Sequence, residues 1–216
     1  MNLLVSDFDG TFFDDNYEKN IQFIKECKNL DFIIATGRNI LSLKNDLKIK
    51  CKYYICNDGG YIMDNNYNVI YKNNISDITV KIIQSRIKEL GYTEYYFDNI
   101  EKVNNDIIGN INKISIRIKD NNTNNDIDYL LGDLSDVYAY ISTNWINIIN
   151  INSKKSKAID YLLRFNNYDN IYVVGNEIND IDMLKKYNGY LISDNEKNDF
   201  KTINNFLDLK QKIKND

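Results

Sequence analysis

No histidine and no proline occur in this sequence. Without histidine, Ser-His-Asp and Cys-His nucleophilic schemes and every His-ligated metal site are excluded. Any catalysis therefore falls to carboxylates, hydroxyls, Lys, Tyr or Cys. The missing proline, beside abundant Asn and Ile, reads as a genome-level compositional bias and carries no function. Cysteine is scarce: Cys27, Cys51 and Cys56 are odd in number and lack paired metal spacing. Buried free thiols in a reducing compartment are expected. No apolar run approaches membrane-spanning length, and the N-terminus enters a strand pattern with no signal-peptide signature. The formal charge of −4 offers no basic footprint for nucleic acid. A cytoplasmic protein without membrane or nucleic-acid partners is expected, as a monomer or weak homodimer. Its 216 residues, 43% hydrophobic and 27% charged, suffice for one substantial core, or for a core with a smaller insert.

What is present alternates. Leu3–Ser6 reads as a strand, followed by a helical pattern around Ile21, Phe23, Ile24 and Cys27. Phe32-Ile33-Ile34-Ala35 is a second buried strand, then a helix carries Ile40, Leu41, Leu43 and Leu47. Tyr53-Tyr54-Ile55-Cys56 is a third strand, ending at Asn57-Asp58-Gly59-Gly60. Short apolar strands separated by amphipathic helices signal a parallel sheet covered on both faces. Near Ser76 the rhythm changes. A helix over Ile78 to Leu90, stopped by Gly91, leads to Tyr95-Tyr96-Phe97, and Lys113–Lys119 alternates through Ile114, Ile116 and Ile118. A helix over Asp126–Leu134 and strands over Val137–Ser142 and Trp145–Ile151 follow, with Asn121–Asn125 as a polar loop. Residues 75–150 thus read as an inserted α+β domain with helices on one face of a half-exposed antiparallel sheet. The α/β pattern resumes with a helix over Lys154–Phe165, a strand at Ile171–Val174, a short helix through Met183-Leu184, and a final strand at Tyr190-Leu191-Ile192. A closing helix is marked by Phe206, Leu207, Leu209 and Ile213.

Polar clusters stand where the strands end. In an extended chain residues i and i+2 point the same way, so Asp7 and Asp9 emerge side by side. Two such carboxylates repel unless a cation lies between them or they share a proton. Thr36-Gly37-Arg38, Lys155 and Gly175-Asn176-x-x-Asn179-Asp180 complete the set. In open parallel sheets, ligands bind beyond the carboxyl ends of the strands. Together these residues supply a nucleophile, a proton shuttle, hydroxyl and amide donors, a cation and oxygen ligands for a hard metal, an inventory for phosphoryl transfer. Taken singly each has a plain explanation. Asp7 and Asp9 solvate a strand end, Thr36-Gly37 caps a helix, Lys154, Lys155 and Lys157 form a solvated helix start, and Asp180 and Asp182 favour a helix's first turn. Either Lys154 or Lys155 can point inward.

On these residues the chain resembles hydrolases of the haloacid dehalogenase superfamily, of the Cof-like, type IIB branch of phosphatases. Asp7-Phe8-Asp9-Gly10-Thr11 matches the family's first motif, Thr36-Gly37-Arg38 the second and Lys155 the third. Gly175-Asn176-Glu177-Ile178-Asn179-Asp180 matches the fourth, Gly-Asp-x-x-Asn-Asp, and Asp58-Gly59-Gly60 falls where Asn-Gly-Ala is usual. The resemblance implies an α/β fold: a Rossmann-like parallel-sheet core over 1–74 and 151–216, with a short α+β cap over 75–150 inserted after the third core strand. It implies a Mg²⁺-dependent phosphatase acting on small phosphorylated metabolites, sugar phosphates among them, through an aspartyl phosphate. Asp7 would be the nucleophile and Asp9 the general acid and base, with Thr36 and Lys155 holding the transferring group. Gly10, Thr11, Gly37, Arg38 and Asn179 would bind phosphate or substrate. Mg²⁺ would be held by Asp7, the main-chain carbonyl of Asp9, Asn176 and Asp180.

One departure stands out. Asn176 occupies the place of a metal-binding aspartate, so the site loses a full negative charge and weaker Mg²⁺ affinity is expected, with Glu177 the neighbour that could reach in. A phosphate-binding member without turnover, and a phosphotransferase or mutase on the same core, remain alternatives. The insert is rich in Tyr (Tyr92, Tyr95, Tyr96, Tyr129, Tyr138, Tyr140) and holds Trp145, and aromatics at strand spacing are expected to serve its core.

Overall fold

The computed structural model describes residues 1–106, 109–119, 123–193 and 199–213. Strands β1 (Asn2–Ser6), β2 (Leu30–Ala35) and β3 (Tyr53–Cys56) alternate with helices α1 (Tyr17–Glu26) and α2 (Ile40–Asp46). Next come β4 (Tyr61–Asp64), β5 (Val69–Lys72), α3 (Asp77–Glu89), β6 (Tyr95–Asp98), β7 (Val103–Asn104) and β8 (Lys113–Arg117). The chain continues through α4 (Thr123–Leu131), β9 (Val137–Ser142), β10 (Trp145–Asn150), α5 (Lys155–Leu163), β11 (Asn170–Gly175), α6 (Ile181–Lys186), β12 (Tyr190–Ile192) and β13 (Lys201–Ile203).

The larger sheet has the order β13-β12-β11-β1-β2-β3-β4-β5 and is parallel from β13 to β3. Alternation along its strands builds two cores. Leu4, Phe32, Ile34 and Tyr54 face a layer containing Phe12, Ile21, Leu43 and Phe206. Leu3, Val5, Ile33 and Ile55 face Ala158, Ile159 and Leu162 of α5 and Met183 and Leu184 of α6. Both faces being covered, the central strands read as continuous apolar runs, as a parallel sheet requires.

The smaller sheet is antiparallel, in the order β7-β6-β8-β10-β9. One of its faces packs Phe97, Ile114, Ile116, Ile146 and Ile148 against Val80, Ile83 and Ile87 of α3 and Leu130 of α4. The residues between them point the other way. Register sets Asp98 opposite Lys113 and Tyr96 opposite Ser115. It sets Asn147 opposite Ser115 and Tyr140, and Trp145 opposite Ser142. That second face is polar and aromatic.

Several local expectations change. β4 and β5 extend the larger sheet antiparallel beyond β3, where the sequence pattern suggested only a turn cluster. Asp64 nucleates the reversal, its Oδ1 accepting from the amides of Asn66 and Asn68, both at 2.8 Å. A strand, β13, pairs in parallel with β12, so Tyr190–Ile192 is not the last strand. The closing segment is a 3-10 helix over Phe206–Gln211, in which Phe206 and Leu209, three apart, share the buried side. Residues 121 and 122 of the expected polar loop lie outside the described residues, and Thr123–Asn125 belong to α4. The three cysteines are free, with Cys51 and Cys56 buried.

Candidate functional site

Asp7 continues the line of β1, its amide donating to the Val174 carbonyl at 2.9 Å, and its side chain stays almost wholly buried. Opposite it stands Lys155, the first residue of α5 and 0% exposed. Its Nζ donates to Asp7 Oδ1 at 2.7 Å and to Asp180 Oδ1 at 2.6 Å. Lys155 is therefore the inward lysine. The Lys154 ammonium instead lies 5.5 Å from the centre of the Tyr138 ring. Burial pushes the Asp7 carboxyl up to about 8; Lys155 pulls against that rise and Asp180 adds to it. Burial alone would discharge Lys155, but Asp180, Asp7 and Asp58 outweigh it and keep the ammonium charged.

Asp180 is fully committed. Besides Lys155, its second oxygen accepts from the amides of Asn176 at 2.9 Å and Glu177 at 3.0 Å. Gly175 is required here, since a Cβ would fall 2.5 Å from the Asp180 carboxylate. Asn176 reaches back to the first motif: Thr11 Oγ1 donates to its Oδ1 at 3.0 Å. Gly10, at φ +69, passes close enough that a Cβ would lie 2.5 Å from Asn176 Nδ2. Glu177 turns elsewhere, its carboxylate accepting from the Ser142 hydroxyl of β9.

Among the described residues no three Asp, Glu, His or Cys side chains converge as a metal cluster. What Asp7 and Asn176 offer is hard oxygen with one formal charge. That set fits a Mg²⁺ that keeps several of its waters.

Asp9 is half exposed, and Arg38 forks onto it, Nε to Oδ2 at 2.8 Å and Nη2 to Oδ1 at 2.5 Å. The third arm of Arg38 reaches Asp46 at 2.5 Å, and its guanidinium lies 5.1 Å from the centre of the Phe8 ring. Arg38 thus contacts the carboxylate expected to shuttle protons. Thr36, buried at the end of β2, accepts the Arg38 amide at 3.1 Å, which leaves its hydroxyl hydrogen to donate elsewhere.

Between the strand ends and the polar face of the smaller sheet lies a cleft of ≈ 610 Å³. Asp7, Asp9, Thr36, Gly37, Arg38 and Asn179 line one side, and residues of β6, β8, β9 and β10 the other. Two features here were not among the expected site residues.

The first is a buried ionic knot. Asp58, at φ 58 and 2% exposed, accepts from Lys113 Nζ at 3.0 Å, Tyr140 Oη at 2.5 Å and Asn179 Nδ2 at 2.8 Å. Lys113 also donates to the Gly37 carbonyl at 2.9 Å. Burial opposes ionisation of Asp58, yet Lys113, Lys155, Tyr140 and Asn179 overcome it and hold the carboxyl at about 2. A charge stands where the resembling proteins usually have Asn, and β8 supplies its counter-charge.

The second is Asp98, 8% exposed, whose Oδ1 has no hydrogen-bond partner. Burial raises its carboxyl to about 6, against a weaker pull from Lys113. The signal for both features is the alternation itself. If Ile114 and Ile116 face inward, Lys113 and Ser115 must share the other face, as must Tyr96 with Asp98 around Phe97. Tyr96, Tyr140 and Trp145 accordingly line the cleft, whereas Tyr92 joins the core of the smaller layer.

Asp98 carries a stability prediction. A carboxyl whose folded pKa lies above its ordinary 3.8 favours folding only while protonated, so its contribution is lost as pH rises from about 4 through 6. Asp98→Asn should raise the unfolding free energy at pH 7.5 by up to about 3 kcal/mol and change little below pH ~4. Urea titrations at the two pH values check this, and equal effects at both would refute it.

A family model described as haloacid dehalogenase-like hydrolase matches residues 4–102 and 83–207. The chain belongs to this family. A curated protein from Mycoplasma capricolum subsp. capricolum, itself uncharacterized, is 36% identical over 91 residues, 37% of this chain. That match spans only 34% of the relative's own length. Among solved structures, a phosphatase of the superfamily from Bacteroides thetaiotaomicron superposes with a TM-score of 0.78 at 15% identity, covering 98% of this chain and 94% of the other. A subclass IIB sugar phosphatase superposes at 0.74 with 18% identity, covering 92% and 90%. A haloacid dehalogenase-like hydrolase from B. subtilis does so at 0.74 with 15% identity, covering 92% of each chain. The fold is that of haloacid dehalogenase phosphatases and phosphotransferases, and no described helix is long and apolar enough to cross a membrane.

Proposed function

We propose that the chain is a Mg²⁺-dependent phosphatase of small phosphate monoesters, acting in the cytoplasm, with residues 1–74 and 151–216 as core and 75–150 as cap. The observation that carries this reading is the wholly buried Lys155 ammonium between Asp7 and Asp180, with Asp7 opening onto a cleft beyond the strand ends. Asp7 attacks phosphorus through a carboxylate oxygen, and the bond from phosphorus to the leaving oxygen breaks as Asp9 delivers its proton to that oxygen. The aspartyl phosphate is then hydrolysed: Asp9 takes a proton from water, the water oxygen bonds phosphorus, and Asp7 departs with its electron pair. Lys155, the Thr36 hydroxyl and amides near Gly37 hold the phosphoryl oxygens throughout. Asp7, the Asp9 carbonyl and Asn176 would hold Mg²⁺; Asp180, expected as a fourth ligand, has both oxygens engaged by Lys155 and the amides of Asn176 and Glu177 and supports the site through Lys155. When bound, the ion offsets the negative charge gathered on the transferring group.

For Asp9 to act it must leave Arg38, so Arg38 defines a resting position of the proton shuttle. Incubation with an aryl phosphate and Mg²⁺ tests the reading. Release of inorganic phosphate, suppressed by EDTA, is expected. Absence of release over a broad pH range, with the phosphate still bound, would leave a non-catalytic binder in its place. Transfer to an added alcohol in preference to water would mark a phosphotransferase. The Asn176→Asp variant should bind Mg²⁺ about tenfold more tightly, since affinity follows ligand charge. Calorimetry showing unchanged or weaker binding would remove Asn176 from the metal site.

A further inference from the structure

Beyond the phosphate floor, the charges of the cleft are unevenly committed. Two cationic side chains line it among the described residues, Arg38 and Lys113. Arg38 is tied to Asp9 and Asp46, and Lys113 to Asp58 and the Gly37 carbonyl. Neither is free for a second anion. Of the other acidic groups lining the cleft, Glu177 accepts from Ser142 of the smaller sheet, while Asp98 on β6 keeps an oxygen with no partner. A buried carboxylate oxygen left unsatisfied costs free energy that a ligand donor recovers on binding.

The surroundings of Asp98 sharpen the choice of ligand. Tyr96 lies two residues away on β6, so it shares the face of Asp98, and its ring centre is 5.8 Å from that of Trp145. Ser115 and Asn147 lie beside each other on the same face. Flat aromatic surface, neutral amide and hydroxyl groups and one unpaired carboxylate suit an alcohol rich in hydrogen-bond donors.

We propose that Asp98 is a specificity-determining residue that admits phosphate monoesters whose alcohol portion carries hydroxyl or ammonium donors, and rejects those carrying a carboxylate or a second phosphate. This rests on the phosphatase reading for its kinetic form, though not for its binding form. An anionic leaving group meets Asp98 with no cation to spare, whereas a donor completes it. Discrimination therefore comes from repulsion as well as from the hydrogen bond gained.

The test compares hexose 6-phosphate with 3-phosphoglycerate on the full chain and on Asp98→Asn. With Mg²⁺, the ratio of kcat/KM should favour the hexose phosphate by about tenfold or more, and Asp98→Asn should lower that ratio about tenfold. In parallel, quenching of Trp145, the sole tryptophan and a lining residue, reports equilibrium binding of both compounds in an Asp7→Asn background. The same change in the ratio of dissociation constants is expected there. A ratio moved less than about twofold by Asp98→Asn, or a parent that prefers 3-phosphoglycerate, overturns the proposal. If no phosphate ester, aryl phosphate included, is turned over, the phosphatase reading fails, and the binding ratio still decides the role of Asp98. Melting curves confirm that the variant folds, and Asp98→Ser repeats the comparison with a smaller side chain.

Discussion

Replacing Asp7 with asparagine should lower phosphate release at least about 10⁴-fold, the scale of losing a covalent nucleophile. A carboxamide oxygen is a poor nucleophile and cannot depart cleanly from phosphorus. The fold should tolerate the change, because Lys155 keeps Asp180 at 2.6 Å. Stability should even improve in alkaline, metal-free buffer. Burial holds the Asp7 carboxyl at about 8, above its ordinary 3.8. Its contribution to folding is therefore present at low pH and lost as pH rises toward 8, whereas asparagine does not titrate. Melting curves with EDTA should show the variant no lower than the parent at pH 7 and higher at pH 8.5. Hydrolysis close to the parental rate would show that Asp7 is not the nucleophile. A large loss of melting temperature at pH 7 would assign it a structural role instead.

Lys155→Met should act on stability first. Its ammonium bonds the buried carboxyl groups of both Asp7 and Asp180, and the methionine side chain leaves them without a cationic partner. Breaking a buried ionic group by removing one partner costs about 3–5 kcal/mol. For a chain of this size that corresponds to a fall in melting temperature on the order of 10 °C. Millimolar Mg²⁺ should restore part of the loss, since a cation on Asp7 replaces some of the missing charge, whereas K⁺ at equal ionic strength should not. Thermal melts in the three buffers decide the matter. An unchanged melting temperature would mean that water already compensates Asp7 and Asp180. Equal recovery with K⁺ would mean that general screening, not a site, is responsible.

The parallel sheet was legible because β1, β2, β3 and β11 are buried on both faces and their apolar runs stop at polar strand ends. The smaller sheet was legible through Tyr95–Phe97, the alternation of Ile114 and Ile116, and the strand patterns at Val137–Ser142 and Trp145–Ile151. β4 was hidden by the Asn57–Gly60 cluster before it, and the reversal after it depends on Asp64 accepting from its own loop, which hydrophobic period does not register. Phe206, Leu207 and Leu209 suit a helix of either pitch; the 3-10 form follows from burial of Phe206 and Leu209, which periodicity over so short a segment does not resolve. At the site, motif spacing brought forward Asp7, Thr36, Lys155 and Asp180, whose partners lie at neighbouring strand ends. The grip of Arg38 on Asp9 and the pairing of Asp58 with Lys113 were not legible. Each joins residues that no local pattern relates, 29 and 55 positions apart.

The Asp58–Lys113 pair adds an electrostatic tie to the seating of the smaller sheet, beside the apolar contact of Ile100 with the core of the larger one. Apolar contacts weaken on cooling, and exposed ion pairs weaken as salt rises. This pair is dry, with side-chain exposures of 2% and 8%, and it is backed by Tyr140 and Asn179. Cold does not loosen it and salt barely screens it, while warming lowers the hydration that competes with it. The two layers therefore stay engaged across the range of conditions in which the protein is folded. A ligand that bids for Lys113 or Asn179 from within the cleft competes directly with this tie.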